Sequence, residues 1–468
     1  MDYRVEHDYL GPVRVPKSAY WGAQTQRAAE NFKVSGLRPF KEYTYSIILI
    51  KKAAALANVK AGLMDKKKGL AIARACDEAL SGKFDDQFIV DVYQAGEGTS
   101  NNMNVNEVIA NRAEEILGGK RGEYRLVHPN DDVNMGQSSN DVIPTAIKLA
   151  SLEKGKELLD SLEALKNALN KKSGEFDSIV KSGRTHLMDA APIRLGQEFH
   201  AWSGLISDGE KRIKNALDGI LEINLGATAV GTGLNADKRY LKNALELLRK
   251  FTGLKLQYSA NLPKVTESPS DLLNLSSALK TLAADMIKIT NDLRLMNSGP
   301  VTGFAEITLP AVQPGSSIMP GKVNPSILEM VDMVCFQVIG SDDTITLATQ
   351  AGQFELNVME PIIEYNLLNS LGILSNASRI LADRAISGLT ANEDRMRQLL
   401  DKTPGVGMAL NPYIGYEKAS EIVKKAISSG KSIRQVAEES GLLSKQQLDK
   451  IFDPYSLTGS KKSMRNHK

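Results

Sequence analysis

Two glycines bracket a pair of adjacent serines in the segment Gly315-Ser316-Ser317-Ile-Met-Pro-Gly321-Lys322-Val-Asn324-Pro325, and a lysine follows Ser316 six residues on. A plain Gly/Pro loop has no need of that cation or of the apolar Ile-Met pair. Three further segments are rich in Gly, Ser, Thr and Asn: Gly96 to Asn104, His128 to Asp141, and Gly183 to Asp189. All four read as polar loops, too long to be simple turns. Hydroxyls and amides packed among helices need partners, because a buried unpaired donor is costly. Taken singly, each Ser, Thr or Asn sits where a helix cap would also be sensible. Taken together, the four segments are better explained by one shared ligand. Donors from Ser, Thr, Asn, His and Lys suit a carboxylate.

Donors of that kind have to be held by rigid elements. Leu272, Leu275, Leu279, Leu282, Met286, Ile289 and Leu293 alternate spacings of three and four. That is a heptad seam, which keeps one face of a long helix against a partner. Ser268 and Pro269 sit where its cap and first turn would be, and Gly299-Pro300 stops it. Leu158, Leu162, Leu165 and Leu169 repeat the pattern in an earlier helix. These are packing residues, not a cofactor box. Several seams in one chain predict an all-α fold with a long central helical bundle, completed by other subunits.

Texture divides the chain into three expected domains. Residues 1–137 carry short helical stretches broken by Gly, Asn and Pro, residues 138–394 the long helices, and residues 395–468 short capped helices ending in the basic tail Lys461 to Lys468, expected to fray. In the last part, Ser444 with Gln447 fits a capping box and Gly441 a stop between two helices. A helix-turn-helix DNA reader has that outline, but no basic recognition face accompanies it here.

Charge and cysteine usage narrow the function classes. Lys and Arg number 58 against 55 Asp and Glu in 468 residues, and a net charge of +3 implies neither a nucleic-acid nor a membrane partner. Only Cys76 and Cys335 occur, far apart, which argues against a disulfide framework or a zinc site and for a cytoplasmic chain. The five histidines form no HxH or HExxH cluster, so no metal is expected. The polar N-terminus lacks the apolar stretch of a secretory signal, and no uncharged run approaches the ~20 residues that span a bilayer. A soluble protein is expected.

The Gly315 to Pro325 segment resembles the signature loop of the fumarase/aspartase superfamily. Ser138-Ser-Asn-Asp, Gly183-Arg-Thr-His, Gly231-Thr-Gly-Leu-Asn and Leu410-Asn-Pro-Tyr-Ile-Gly-Tyr match other family segments in order, and the resemblance runs from about Tyr3 to Leu457. It implies removal of ammonia or water from a four-carbon dicarboxylate to give fumarate. The proton lost is weakly acidic, so the aci-carboxylate that forms must be held by preorganised donors. By resemblance Ser316 is the base, activated as an alkoxide by loop N–H groups and Lys322. Lys322, Asn324, Thr185 and His186 would clamp the carboxylate that becomes the aci-acid. Thr99, Ser138 and Ser139 would hold the other carboxylate, with Asn140 beside the leaving group. Glu329 matches a glutamate that pairs with the histidine, here His186, and keeps it oriented and charged. Resemblance also implies a homotetramer with composite active sites and no metal or organic cofactor. A family member kept only for structure would have lost Ser316, Lys322 or His186; this chain retains all three.

Two activities share this branch, and the chain mixes their features. Tyr20 to Arg27, His128-Pro-Asn-Asp, Ser139 and His186-Leu-Met-Asp lean towards fumarase. Ser100, Gln313, Asn357-Val-Met-Glu-Pro361, Gly388-Leu-Thr-Ala-Asn-Glu and the tail through Phe452-Asp-Pro-Tyr lean towards aspartase, and they outweigh the first group. Glu97 departs from both, where a small residue is usual. A carboxylate there would attract the ammonium of aspartate if it faces the site, and would mean nothing if it faces water.

Overall fold

The computed structural model describes residues 2–459, and the basic tail Lys461 to Lys468 lies outside them. Helices dominate, as the seams predict. A β-hairpin of β1 (Tyr3–Asp8) and β2 (Gly11–Pro16) opens the chain, followed by α1 (Ala23–Asn31), α2 (Lys41–Lys60), α3 (Lys66–Leu80), α4 (Thr99–Ile116) and the long α5 (Ser139–Glu175). A second hairpin, β3 (Val180–Thr185) and β4 (Met188–Arg194), leads into α6 (Leu195–Gly219) and α7 (Lys238–Thr252). Next come the short α8 (Leu262–Glu267), then α9 (Ser270–Met296), α10 (Ser326–Gln350) and α11 (Glu360–Ile380). The last stretch is built from α12 (Glu393–Lys402), α13 (Asn411–Ile414), α14 (Tyr416–Ser429), α15 (Ile433–Glu439), α16 (Lys445–Ile451) and α17 (Pro454–Thr458).

The chain divides into two compact units. One comprises Met1–Leu159, Lys211–Thr281 and Phe336–Leu374; the other comprises Asp160–Glu210, Leu282–Cys335 and Ser375–Lys468. Helices α5, α6, α9, α10 and α11 contribute residues to both. All seven seam residues of α9 are 0–1% exposed, and Leu158, Leu162, Leu165 and Leu169 of α5 are fully buried. Helix α9 starts at Ser270, later than its sequence suggests, because Ser268 closes α8 instead. In the first unit the buried Lys148 of α5 reaches Asp271 of α9 at 2.6 Å and the Glu222 carbonyl at 2.7 Å. On α11, Glu360 and Glu364 are buried carboxyls, each pushed up to about 8 by desolvation.

In the second unit, α14 to α16 close a small core of their own, with Leu410, Ile422, Ile433, Val436, Leu448 and Ile451 buried. Ser444 and Gln447 form the expected capping box, and Ser432 with Gln435 forms another. No helix among the described residues is long and apolar enough to cross a membrane.

Three of the four polar segments are not simple loops: His128 to Asp141 holds a wide helical turn over Pro129–Val133 and the first residues of α5. Thr99 to Asn104 is the start of α4, a helix whose buried face carries Asn101, Asn102, Asn104, Asn106 and Asn111. Its amides reach across to loops instead of capping: Asn104 pairs with the Ile89 N–H and the Gln87 carbonyl, and Asn111 with the Tyr20 carbonyl and the Gly122 N–H. Such a helix has no amphipathic period to read. Gly183 to Asp189 is the end of the β3–β4 hairpin.

Candidate active site

The expected site residues fall into two groups, one in each compact unit. In the first unit, Gly98 has φ +76, and a Cβ there would come within 2.8 Å of Ile143, so the close start of α4 against α5 requires glycine. Thr99 opens α4 and Ser139 opens α5, and Thr99 Oγ1 donates to Ser139 Oγ at 2.9 Å. Asn102 Nδ2 donates to the same oxygen at 3.2 Å. Ser138 Oγ accepts from the Asn140 N–H at 3.2 Å, and the Ser138 N–H donates to Asp141 Oδ1 at 3.1 Å. The amide of Asn140 donates to the Ala229 carbonyl at 2.7 Å, which ties α5 to the loop bearing Gly231-Thr-Gly-Leu-Asn. Thr99, Ser138, Ser139 and Asn140 are thus neighbours on one half-buried, donor-rich surface.

Beneath that surface lie two buried ionisable side chains that sequence reading missed. Asp141 is fully buried, and its second oxygen accepts from the Gly226 and Thr228 N–H groups at 3.0 and 2.9 Å. Burial pushes its carboxyl up to about 7, against the pull of these amides and of Lys51. Lys51, also fully buried, donates to Asn134 Oδ1 at 2.8 Å and Gln137 Oε1 at 3.0 Å, and burial lowers its ammonium to about 7. The one signal in the sequence was a lysine on the same helical face as Ile47 and Ala54, where an apolar side chain is the rule.

In the second unit, Thr185 and His186 sit at the tip of the β3–β4 hairpin. His186 and Leu187 have φ +55 and +59, a tight turn that normally takes Asn-Gly. Left-handed backbone costs non-glycine residues about 1–2 kcal/mol each, and such strain gathers at functional sites. The hairpin is braced at its base. Lys181 pairs with Glu198 at 3.0 Å and with the fully buried Glu306 at 3.1 Å, and Arg184 pairs with Glu306 at 2.9 Å while lying over the Phe304 ring. His186 itself is exposed, and within the chain it makes no side-chain hydrogen bond or ion pair with the described residues, Glu329 included.

The Gly315 to Pro325 segment is an exposed loop folded on itself. The Gly315 N–H donates to the Lys322 carbonyl at 2.8 Å, and Asn324 Nδ2 donates to the Gly315 carbonyl at 2.6 Å. This closure puts Ser316 at the head of a turn whose N–H groups point inward: Ser316 Oγ accepts from the Ile318 N–H at 3.2 Å and the Met319 N–H at 2.9 Å. Two amide donors on one hydroxyl oxygen are the electrostatics an alkoxide needs. Ile318 is 83% exposed, an apolar side chain held in water at the tip of the loop. Lys322 and Asn324 also line a cleft of about 830 Å³ with Arg294, Asn297, Thr308 and Asn392. Glu329 stands in the first turn of α10. Among the described residues no group of three or more His, Cys, Asp and Glu is placed to hold a metal ion.

Comparison with known proteins identifies the family. A family profile described as Lyase matches residues 11–340, and one described as Fumarase C C-terminus matches residues 409–459. The chain is 49% identical to an aspartate ammonia-lyase of Bacillus subtilis (strain 168), over 98% of this chain and 96% of the relative. It is 46% identical to a class II fumarate hydratase of Xylella fastidiosa (strain Temecula1 / ATCC 700964), over 97% and 95%. A crystal structure of fumarate lyase:delta crystallin from Brucella melitensis bound to cobalt superposes with a TM-score of 0.93 at 44% identity, covering 97% of this chain and 99% of that one. Matches of this extent, on a chain whose serine loop and strained histidine hairpin are both built as described, leave one assignment: the chain belongs to the lyase family, within the fumarase/aspartase superfamily.

Proposed function

We propose that this enzyme is an aspartate ammonia-lyase, which converts L-aspartate reversibly to fumarate and ammonia. The observation that carries the mechanism is Ser316 Oγ, which accepts from the Ile318 and Met319 N–H groups. Those donors lower the cost of an alkoxide, and the alkoxide takes the proton from the carbon next to the reacting carboxylate. The aci-carboxylate that results carries two negative charges on that group. Lys322, Asn324, Thr185 and His186 hold it, and Thr99, Ser138 and Ser139 hold the other carboxylate. One N–H of Asn140 Nδ2 goes to the Ala229 carbonyl, which orients the amide, and Oδ1 is its acceptor atom for the leaving group. An acceptor there suits an amino N–H.

The two groups of residues meet when copies of the chain assemble as a homotetramer, in which His186 also finds its Glu329 partner. The α5 and α9 seams are already buried within the chain, whereas Met333, Phe336 and Leu347 of α10 are exposed apolar side chains that support packing against another copy. The three-part division at 137/138 and 394/395 belongs to this reading, supported by the separate small core of α14 to α16.

Relatives named aspartate ammonia-lyase at 44–49% identity over nearly the whole chain support aspartate as substrate. Ser100, Gln313 and the Met359-Glu360 pair lean the same way. A class II fumarate hydratase is the second reading, favoured by Ser139 and by relatives of that name at 46% identity. Ser139 lacks only the methyl of Thr, and one methyl discriminates by about 1–3 kcal/mol at most. The deciding experiment incubates purified protein with L-aspartate and, separately, L-malate, measuring fumarate and ammonia. Aspartate should give both products with the larger kcat/KM, and Ser316→Ala should lower kcat by orders of magnitude with binding largely kept. Rapid malate dehydration with no ammonia from aspartate transfers the chain to the hydratase reading. Near-normal turnover by Ser316→Ala removes the serine from its role.

A further inference from the structure

The buried Lys51 is not used by the mechanism above, yet it is wired to the residues that mechanism needs. Its Nζ donates to Asn134 Oδ1. The same amide oxygen accepts from Asn102 Nδ2 and Asn106 Nδ2, each at 3.2 Å. Asn102 Nδ2 donates in turn to Ser139 Oγ, which also accepts from Thr99 Oγ1. Lys51, Asn102 and Asn106 are all 0–1% exposed, whereas Thr99 and Ser139 are half-buried and reachable.

An ammonium has three donors and no acceptor. Opposite Lys51 the Asn134 side chain therefore presents its oxygen, an orientation that its Nδ2 bond to the Gln137 carbonyl at 3.1 Å shares in fixing. That oxygen accepts, so Asn102 must present its NH2. Ser139 Oγ then receives the Asn102 N–H and the Thr99 O–H, which occupies both lone pairs. The hydroxyl proton of Ser139 is then the one on the half-buried, reachable side of the cluster that no acceptor among the described residues takes. The oxygen of Asn134 and that of Ser139 are both acceptors, with the Asn102 NH2 donating to each between them.

We propose that Lys51 is a positioning residue for substrate: as a buried donor-only cation it fixes the direction of the hydrogen bonds through Asn134 and Asn102, so that the Ser139 hydroxyl proton is left to donate to a substrate carboxylate. A hydroxyl free to rotate would spend part of its time presenting a lone pair to the anion. The network removes that orientation before substrate arrives, because both lone pairs of the Ser139 hydroxyl are already taken. Asn134 Oδ1 and Gln137 Oε1 hold the Nζ in place, and the attraction of Asp141 opposes the loss of charge that burial favours. The inference rests on the reading that Thr99 and Ser139 hold a carboxylate of the substrate.

The test measures binding of succinate, a four-carbon dicarboxylate with no leaving group, together with KM and kcat for the preferred substrate. Ser139→Ala first establishes the subsite; if it leaves succinate affinity unchanged, the carboxylate reading of these residues fails. With that effect in hand, Lys51→Met should raise the succinate Kd and the KM about tenfold or more, with kcat changed less than about threefold, because this end of the substrate is held equally in ground and transition states. Lys51→Gln keeps a neutral donor of similar reach and tolerates folding better; its amide can sit either way round, and affinity should fall several-fold. Combined with Ser139→Ala, Lys51→Gln should add nothing further. Lys51 variants that bind succinate as the parent does, or an additive effect in the Ser139→Ala background, overturn the proposal.

Discussion

Closure of the serine loop depends on the absence of one carbon atom. A Cβ at Gly315 would lie 2.6 Å from the Lys322 carbonyl oxygen and 2.7 Å from the Asn324 amide nitrogen. Both are backbone atoms, so no flexible side chain can yield. Carbon and oxygen in contact stand about 3.3 Å apart or more, so Gly315→Ala forces the two ends of the loop apart by roughly 0.7 Å. The bond from the Gly315 N–H to the Lys322 carbonyl and that from Asn324 Nδ2 to the Gly315 carbonyl then stretch or break. Ser316 moves with Gly315. A misplacement of about 1 Å costs on the order of a hundredfold in rate, about 2.7 kcal/mol of barrier. We therefore expect kcat/KM for fumarate formation, followed by ultraviolet absorbance, to fall about 30- to 100-fold. The melting temperature should hardly move, because the loop is exposed and outside the buried seams. Gly321→Ala is the control: its φ is +82 but nothing lies within 4 Å of an added Cβ. It carries a left-handed penalty of about 1–2 kcal/mol and no collision, so its activity loss should be the smaller. A Gly315→Ala enzyme within threefold of the parent, or one better than Gly321→Ala, would refute the reasoning that this closure sets the position of Ser316.

Two further outcomes follow from the core. Glu360 and Glu364 have folded-state values pushed up from 4.5 to about 8, so between those limits the folded chain holds protons that the unfolded chain has released, and stability must fall as pH rises through that window. Melting temperature should decline between about pH 5 and pH 7, and Glu364→Gln should flatten the decline; a parent that gains stability over this range contradicts the sign. Leu279→Ala in the α9 seam, at 1% exposure, should cost about 2–5 kcal/mol in urea unfolding, whereas a loss under about 1 kcal/mol would mean the seam is not packed as described.

Much of this molecule was legible in one dimension because its signals are local. The three-four spacing of the α9 leucines, the Ser444-Gln447 box and the Gly441 stop each depend on residues within a turn or two of one another, and the folded chain keeps all of them. The glycine-bracketed serines announced a polar loop for the same reason, since hinge, hydroxyl and cation lie within eleven residues of chain, while its closure on itself was seen only in the folded chain. Where the pattern was not local, reading failed. The start of α4 looked like a loop because its asparagines break any apolar period, and their partners are the backbone of Tyr20, Gln87, Ile89 and Gly122. The tip carrying His186 looked like another loop, since nothing in His-Leu advertises two left-handed residues. The ion pairs that brace its base reach from Lys181 and Arg184 to Glu306, more than a hundred residues away. The place of Lys51 on the apolar face of its helix hinted at burial, but its partner Asn134 lies 83 residues on and only folding brought the two together. Composition and short-range spacing determine which surfaces must be buried and where helices begin. The direction of a hydrogen bond between distant side chains exists only once the backbone has brought a donor-only cation against an amide with two possible orientations, and that is decided by tertiary packing.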